Sequence, residues 1–252
     1  NSKELHLGIE TFTDLQNAIN LVDGILTLDS DIAMTDDEAA GFVDGVAINK
    51  NIRIDGKGHT ISAEDLGRIF SIGEGFTVTL TNATLINGKA DKGGAIYNDG
   101  SLTLSDVKLS DNTADSYGGA VFNNGHLVVS DSVFDSNDIV NRGSASVDYG
   151  GAAIYNWYDG VLTVSGSNFT NNSAGNGLAI CAFNANYPNA TGGVPFLQVY
   201  NNTFNNHWSN ITENTVQISA GNYTFENNTF INCNQTIRGV NNTFINCTPE
   251  DS

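Results

Sequence analysis

The feature that most constrains this chain is a unit of about 25 residues that returns along its length with two landmarks in fixed order. The first landmark is a Gly-Gly-Ala step leading into a branched apolar residue. It stands at Gly93-Gly94-Ala95-Ile96, at Gly118-Gly119-Ala120-Val121 and, one alanine longer, at Gly150-Gly151-Ala152-Ala153-Ile154. The second is an apolar residue with Asn three positions on: Leu109 with Asn112, Phe134 with Asn137, Phe169 with Asn172. Between them, two apolar residues two apart are followed five residues later by a third. Val78, Leu80 and Leu85 set this register. It returns as Leu102, Leu104, Leu109; Leu127, Val129, Phe134; Leu162, Val164, Phe169; Leu197, Val199, Phe204; and Tyr223, Phe225, Phe230. Alternation of period two describes a strand, and the five-residue step implies a bend, so each unit reads as strand, tight corner, strand, bend, strand.

A unit this short cannot bury its own apolar face, but stacking sets like residues about 4.8 Å apart in parallel columns. The expected fold is all-β, a single-stranded parallel β-helix of about eight rungs in one domain spanning 1–252. Asn98-Asp99-Gly100 and Asn123-Asn124-Gly125 suit the tight corners, because Gly and Asn tolerate positive φ. Asn112, Asn137 and Asn172 are expected to form an internal amide ladder. The 27 Gly and 3 Pro fit many turns without interrupted ladders. One short helix is expected near the start, where Thr13-Asp14-Leu15-Gln16 has capping-box form and Leu15, Ala18, Ile19 and Val22 share a face. It would cap the first rung over 10–24, with rungs over 25–248. Tyr97, Phe122 and Tyr155 follow Ile96, Val121 and Ile154, and are expected inside; the alternative is an outward rail on which an extended polysaccharide stacks.

Charge bounds the partners. With 28 acidic against 10 basic residues and a net charge of -18, nucleic acid and anionic lipid would be repelled. No apolar run approaches the length needed to span a bilayer, so no membrane insertion is expected within this segment. Any signal peptide or anchor is expected to lie outside it. Thr229-Phe230-Ile231-Asn232-Cys233 returns as Thr243-Phe244-Ile245-Asn246-Cys247 and the chain then stops without a capping unit, so a longer surface protein is expected. No cofactor is expected. The acidic run Asp36, Asp37 and Glu38 is a candidate Ca²⁺ ligand set, the plainer reading being a solvated loop. Three cysteines are too few for a disulfide scaffold. His207, Cys233 and Cys247 continue the Asn column, so Cys233 and Cys247 either form a disulfide between neighbouring rungs or stack as thiols.

These residues resemble known families. The Gly-Gly-Ala-Ile and Phe-x-x-Asn pair resembles the repeat of polymorphic outer-membrane proteins. Phe12-Thr13-Asp14-Leu15-Gln16 with Ile54-Asp55-Gly56-Lys57-Gly58-His59-Thr60-Ile61 is similar to the right-handed, pectate-lyase-like β-helix region of adhesin-like surface proteins of methanogenic archaea. The resemblance covers roughly residues 10 to 248. It implies a right-handed solenoid, an extracellular place on the cell surface, and attachment to glycans or proteins of another cell.

In a solenoid, binding residues are sought where rungs are interrupted. Asp138 to Tyr149, Asn184 to Pro195 and Asn206 to Asn214 are the interruptions, and they bring forward Arg142, Tyr149, His207 and Trp208, with Trp157 and Tyr158 inserted nearby. Aromatic faces beside amide and hydroxyl groups suit sugar recognition; the plainer reading is loop packing. Eleven Asn-x-Ser/Thr triplets are glycosylation candidates: Asn82, Asn168, Asn171, Asn189, Asn201, Asn210, Asn222, Asn227, Asn234, Asn241 and Asn246. Several belong to a repeated Asn-Asn-Thr-Phe element and are equally explained as turns. An enzymatic alternative, a polysaccharide lyase or glycoside hydrolase, would use Asp106 and Asp131 on adjacent rungs. A further alternative is a structural stalk segment without a binding role.

Overall fold

A computed structural model describes residues 8–141, 150–158, 160–175, 178–182, 196–207, 215–218, 223–235 and 239–247. Among these the chain is nearly all β, with one α-helix, Phe12–Leu21, and a single 3-10 turn, Ala39–Gly41. The strands run parallel in three sheets, and successive strands of each sheet come from successive repeats. This is a solenoid-like stack.

The register is strict. Leu80, Leu104, Val129, Val164, Val199 and Phe225 oppose one another in consecutive strands of the long sheet. Beyond the bend, Leu85, Leu109, Phe134, Phe169, Phe204, Phe230 and Phe244 do the same. The last phenylalanines stack ring on ring, at 4.8 Å for Phe134 on Phe169 and 4.9 Å for Phe169 on Phe204. Burying one such ring stabilises by roughly 2–3 kcal/mol, so these two columns carry much of the core. The seven-stranded sheet adds Phe70, Ile96, Val121, Ile154, Ile180 and Val216. Tyr223 differs from its expected inward place: it lies in register with Leu197, yet it is exposed.

The bend has a backbone cause. Asn82, Asp106, Asp131, Gly166, Asn201, Asn227 and Asn241 form one column, and their φ values all lie between 50° and 59°. Asn, Asp and Gly reach this left-handed region at least cost, which is why only they occupy the column. The residue after each faces inward, the next outward, the next inward. Asn-Asn-Thr-Phe is therefore a left-handed Asn, a buried Asn, an outward Thr and a core Phe. The Gly-Gly corner is equally determined: at Gly118, φ is 64° and a Cβ would lie 2.2 Å from Val121 O.

Polar columns line the interior edges. Asn112 Nδ2 donates to Asn137 Oδ1, and Asn137 Nδ2 to Asn172 Oδ1, at 3.0 and 2.9 Å. A second ladder runs through Asn98, Asn123 and Asn156, and a third through Asn202, Asn228 and Asn242. Each amide also bonds backbone, so no polar group in these ladders is buried at the cost of its hydrogen bonds.

The helix caps the first layer, though it begins two residues earlier than expected. The capping box is Thr11 with Asp14, not Thr13 with Gln16, and Phe12, Leu15, Ala18 and Ile19 are its buried face. Gln16 has another task. Its side chain accepts from Ala47 N at 2.8 Å and donates to Ala47 O at 3.0 Å, standing in for a neighbouring strand at the edge of Val46–Ile48.

Candidate functional site

Alternation along Ile96–Asn98, Val121–Asn123 and Ile154–Asn156 sends the first and third residues into the coil and the middle one out. Tyr97, Phe122 and Tyr155 are therefore not inside, contrary to expectation. They form a separate apolar cluster with Cys181 on the outer face of the seven-stranded sheet, and Tyr117 and Trp157 pack over it. Phe122 and Tyr155 are nonetheless almost fully buried, because this second layer covers them. Nor do they make a stacking rail. Tyr97 lies on Phe122 at 5.0 Å and Phe122 on Tyr155 at 6.0 Å, so their π-faces are spent on one another.

What reaches solvent is the covering layer. Trp157 contacts Tyr117, Phe122 and Tyr155 at 5.7–6.1 Å between centroids and carries Tyr158 at 4.2 Å. Trp157, Tyr117 and Tyr97 are half-buried, while Tyr158 is 36% exposed. Lys92 Nζ sits 5.5 Å from the Tyr117 ring, 5.4 Å from Phe122 and 5.9 Å from Trp157. Cation–π attraction to several rings holds the ammonium at this corner.

Arg68 fixes the corner from behind. It is 7% exposed and donates through Nε to Gly93 O, through Nη2 to Lys92 O, and through Nη1 to Asp44 O and Ser71 Oγ. Its guanidinium lies 5.2 Å from the Tyr97 ring. Burial lowers the Arg68 pKa, and Asp44 opposes that effect. Burial first, then the Asp99 carboxylate, raises the Tyr97 phenol above its usual range. The arrangement is a rigid aromatic corner with one ammonium at its surface. As binding residues, Lys92, Tyr117 and Arg68 were not singled out from the sequence. Lys92 and Tyr117 pair with each other across repeats, each just before a Gly-Gly step, and that shared position was the signal available.

The other candidates separate. Arg142, Tyr149 and Trp208 lie outside the described residues, as do Asn189, Asn210, Asn222 and the 184–195 interruption. The other two interruptions begin later than expected. Asp138–Ile139 continues the three-stranded sheet against Thr113 and Ala114, and Asn206 and His207 belong to the strand Thr203–His207. His207 is thus no surface ligand. It is fully buried, with Nε2 3.1 Å from Phe169 O and Nδ1 3.2 Å from Asn172 O. Burial, against these two bonds, brings its pKa down to about 4.

Cys233 and Cys247 are free thiols in adjacent layers. Each donates backward, to Phe204 O and Phe230 O, both at 3.3 Å. Burial pushes the Cys233 thiol up to about 11. Asp36, Asp37 and Glu38 do not converge on a cation, and no cluster able to hold a metal occurs among the described residues. Glu38 is instead taken by the helix: it accepts from Thr13 N at 2.7 Å and Thr35 N at 3.1 Å. Burial alone would raise its pKa, but these bonds outweigh it and bring the carboxyl to about 2.

Asp106 and Asp131 occupy adjacent layers of the left-handed column and line a shallow groove with Asn82, Thr84 and Lys108. Asn82, Asn171, Asn201, Asn227, Asn241 and Asn246 are exposed residues of positive φ, so the backbone alone explains an Asn at each. Asn168 is exposed and Asn234 half-buried.

No family model, no curated protein and no solved structure matches the chain.

Proposed function

We propose that this chain is an extracellular, adhesin-like surface protein. In this reading it is a right-handed, single-stranded parallel β-helix of about eight coils that attaches to glycans or proteins of another cell. The parallel registers and the one capping helix support the architecture. Exposed Asn-x-Ser/Thr triplets and a net charge of -18 support a place outside the cell. The observation that carries the binding function is the aromatic corner in which Tyr117 and Trp157 lie about Lys92 and Tyr158 packs on Trp157. Amphipathic rings held rigid at a surface offer large contact area at small entropic cost, which is what sugar recognition needs.

The test is binding to a glycan array and to whole cells by the native protein and by a Trp157→Ala, Tyr158→Ala double variant of unchanged thermal stability. Loss of binding in the variant is expected. Binding by neither protein would favour the stalk reading, and equal binding by both would move the site elsewhere. A second reading, hydrolysis or elimination of a polysaccharide, would use the groove at Asp106 and Asp131. New reducing or unsaturated ends after incubation with polysaccharides would establish it. The left-handed backbone already accounts for Asp at both positions, so attachment is the better-supported reading.

A further inference from the structure

Lys92 is set apart from the other described basic residues by its three ring contacts, not by the lack of an ion pair, which Arg53, Lys89 and Lys108 share. Lys50, Lys57 and Arg68 each lie within 4.0 Å of a carboxylate, at Asp23, Asp55 and Asp44. Lys92 lies within 6 Å of the centroids of three rings and has no ion pair among the described residues. The nearest acidic residue in sequence, Asp91, is engaged by Ser116 Oγ at 2.9 Å. Arg68 holds the Lys92 and Gly93 carbonyls, so the backbone carrying this lysine is pinned in place. Lys92 is half-buried, so its ammonium keeps part of its hydration and stays open to an anion.

We infer that the aromatic corner selects saccharides carrying a carboxylate, hexuronic or sialic residues, with Trp157 and Tyr158 contacting the sugar's apolar face and Lys92 its carboxylate. The inference rests on the glycan-binding reading of the same corner and adds the ligand's charge. An ammonium desolvated on one side by aromatic rings gains more from an anionic partner than one in open water, because the local dielectric is lower. The chain's overall negative charge does not oppose this at contact range, since charges beyond about 8 Å are screened at physiological ionic strength. It does disfavour extended polyanions, whose many charges meet the whole surface. A single carboxylated sugar at the end of a neutral glycan fits both conditions.

The test is calorimetric titration of the full chain with two matched pairs: trigalacturonate against its methyl ester, and sialyllactose against lactose. The acidic member of at least one pair is expected to bind about tenfold tighter or more, the size of one charge-assisted hydrogen bond. K92M, which keeps an unbranched side chain of similar length without the charge, should remove that preference, and K92R should retain it. Preference in one pair only identifies the source of the carboxylate. Equal binding within both pairs, or a preference that survives in K92M, overturns the inference while leaving glycan binding intact. No binding of any of the four probes overturns it together with the glycan reading of the corner. The comparison within each pair uses the native protein, so it decides even if a variant fails to fold.

Discussion

At residue 207 a histidine continues a column that is asparagine before it and cysteine after it. Asn112, Asn137, Asn172, His207, Cys233 and Cys247 each have a side-chain polar atom bonded to the carbonyl of the core residue one layer back. The position demands a short donor, and an imidazole N–H can meet it as amide Nδ2–H does. The second ring nitrogen faces another carbonyl, Asn172 O, which only the imidazolium would satisfy, yet burial keeps the ring neutral. With a folded pKa of about 4 against about 6.5 unfolded, the unfolded chain binds the proton more readily. The linkage acts as a penalty on acidification: stability is at its full value above about pH 6.5 and falls as pH drops toward 4, by on the order of 3 kcal/mol at most. His207→Asn should therefore be close to native in stability at pH 7. It should be more stable than the native protein near pH 4.5, measured by urea unfolding at both values.

The helix is the element whose role depends least on repetition. Its apolar face covers the first layer, Gln16 completes the edge of Val46–Ile48, and Glu38 receives the first-turn Thr13 N–H. A carboxylate there also favours the helix dipole. Because the Glu38 pKa falls in the folded state to about 2, its contribution is present above pH 4.5 and lost as pH drops through 2. Glu38 is partly solvated, so screening reduces the effect to about 1–2 kcal/mol. Glu38→Gln is expected to lower stability by that amount at pH 7 and to match the native protein at pH 2. Thermal melts across the range, with hydrogen exchange of the Phe12–Leu21 amides, check both points.

Charge is a property of the whole stack. Twenty-two acidic and eight basic residues precede position 142, against six and two from it onward, so the opening layers carry most of the net charge. Along the bend the left-handed column changes from Asp106 and Asp131 to Asn201, Asn227 and Asn241. The same backbone geometry is served at both ends, while the repulsion between layers falls. Added salt should therefore stabilise the molecule, raising the melting midpoint by about 2–4 °C for each kcal/mol of repulsion screened. A melt in 10 mM and 0.3 M NaCl reads this directly, and an unchanged midpoint would show that self-repulsion is negligible here.

The sequence by itself determined the repeat, the parallel register and the inward columns, because a two-residue alternation and a positive-φ residue are local requirements that each unit states for itself. Leu104, Val129, Val164 and Val199 were aligned by spacing alone, as were Asn112, Asn137 and Asn172. The tertiary structure decided what lies over the stack. Alternation told that Tyr97 and Ile96 face opposite ways, but not that Phe122 and Tyr155, facing out, are buried again beneath Tyr117 and Trp157. Nothing local distinguishes Lys92 from any other lysine before a glycine. Its surroundings arise only when Gly-Gly corners of successive repeats bring Tyr117, Phe122 and Trp157 around one ammonium, and such contacts belong to the packing of distant segments.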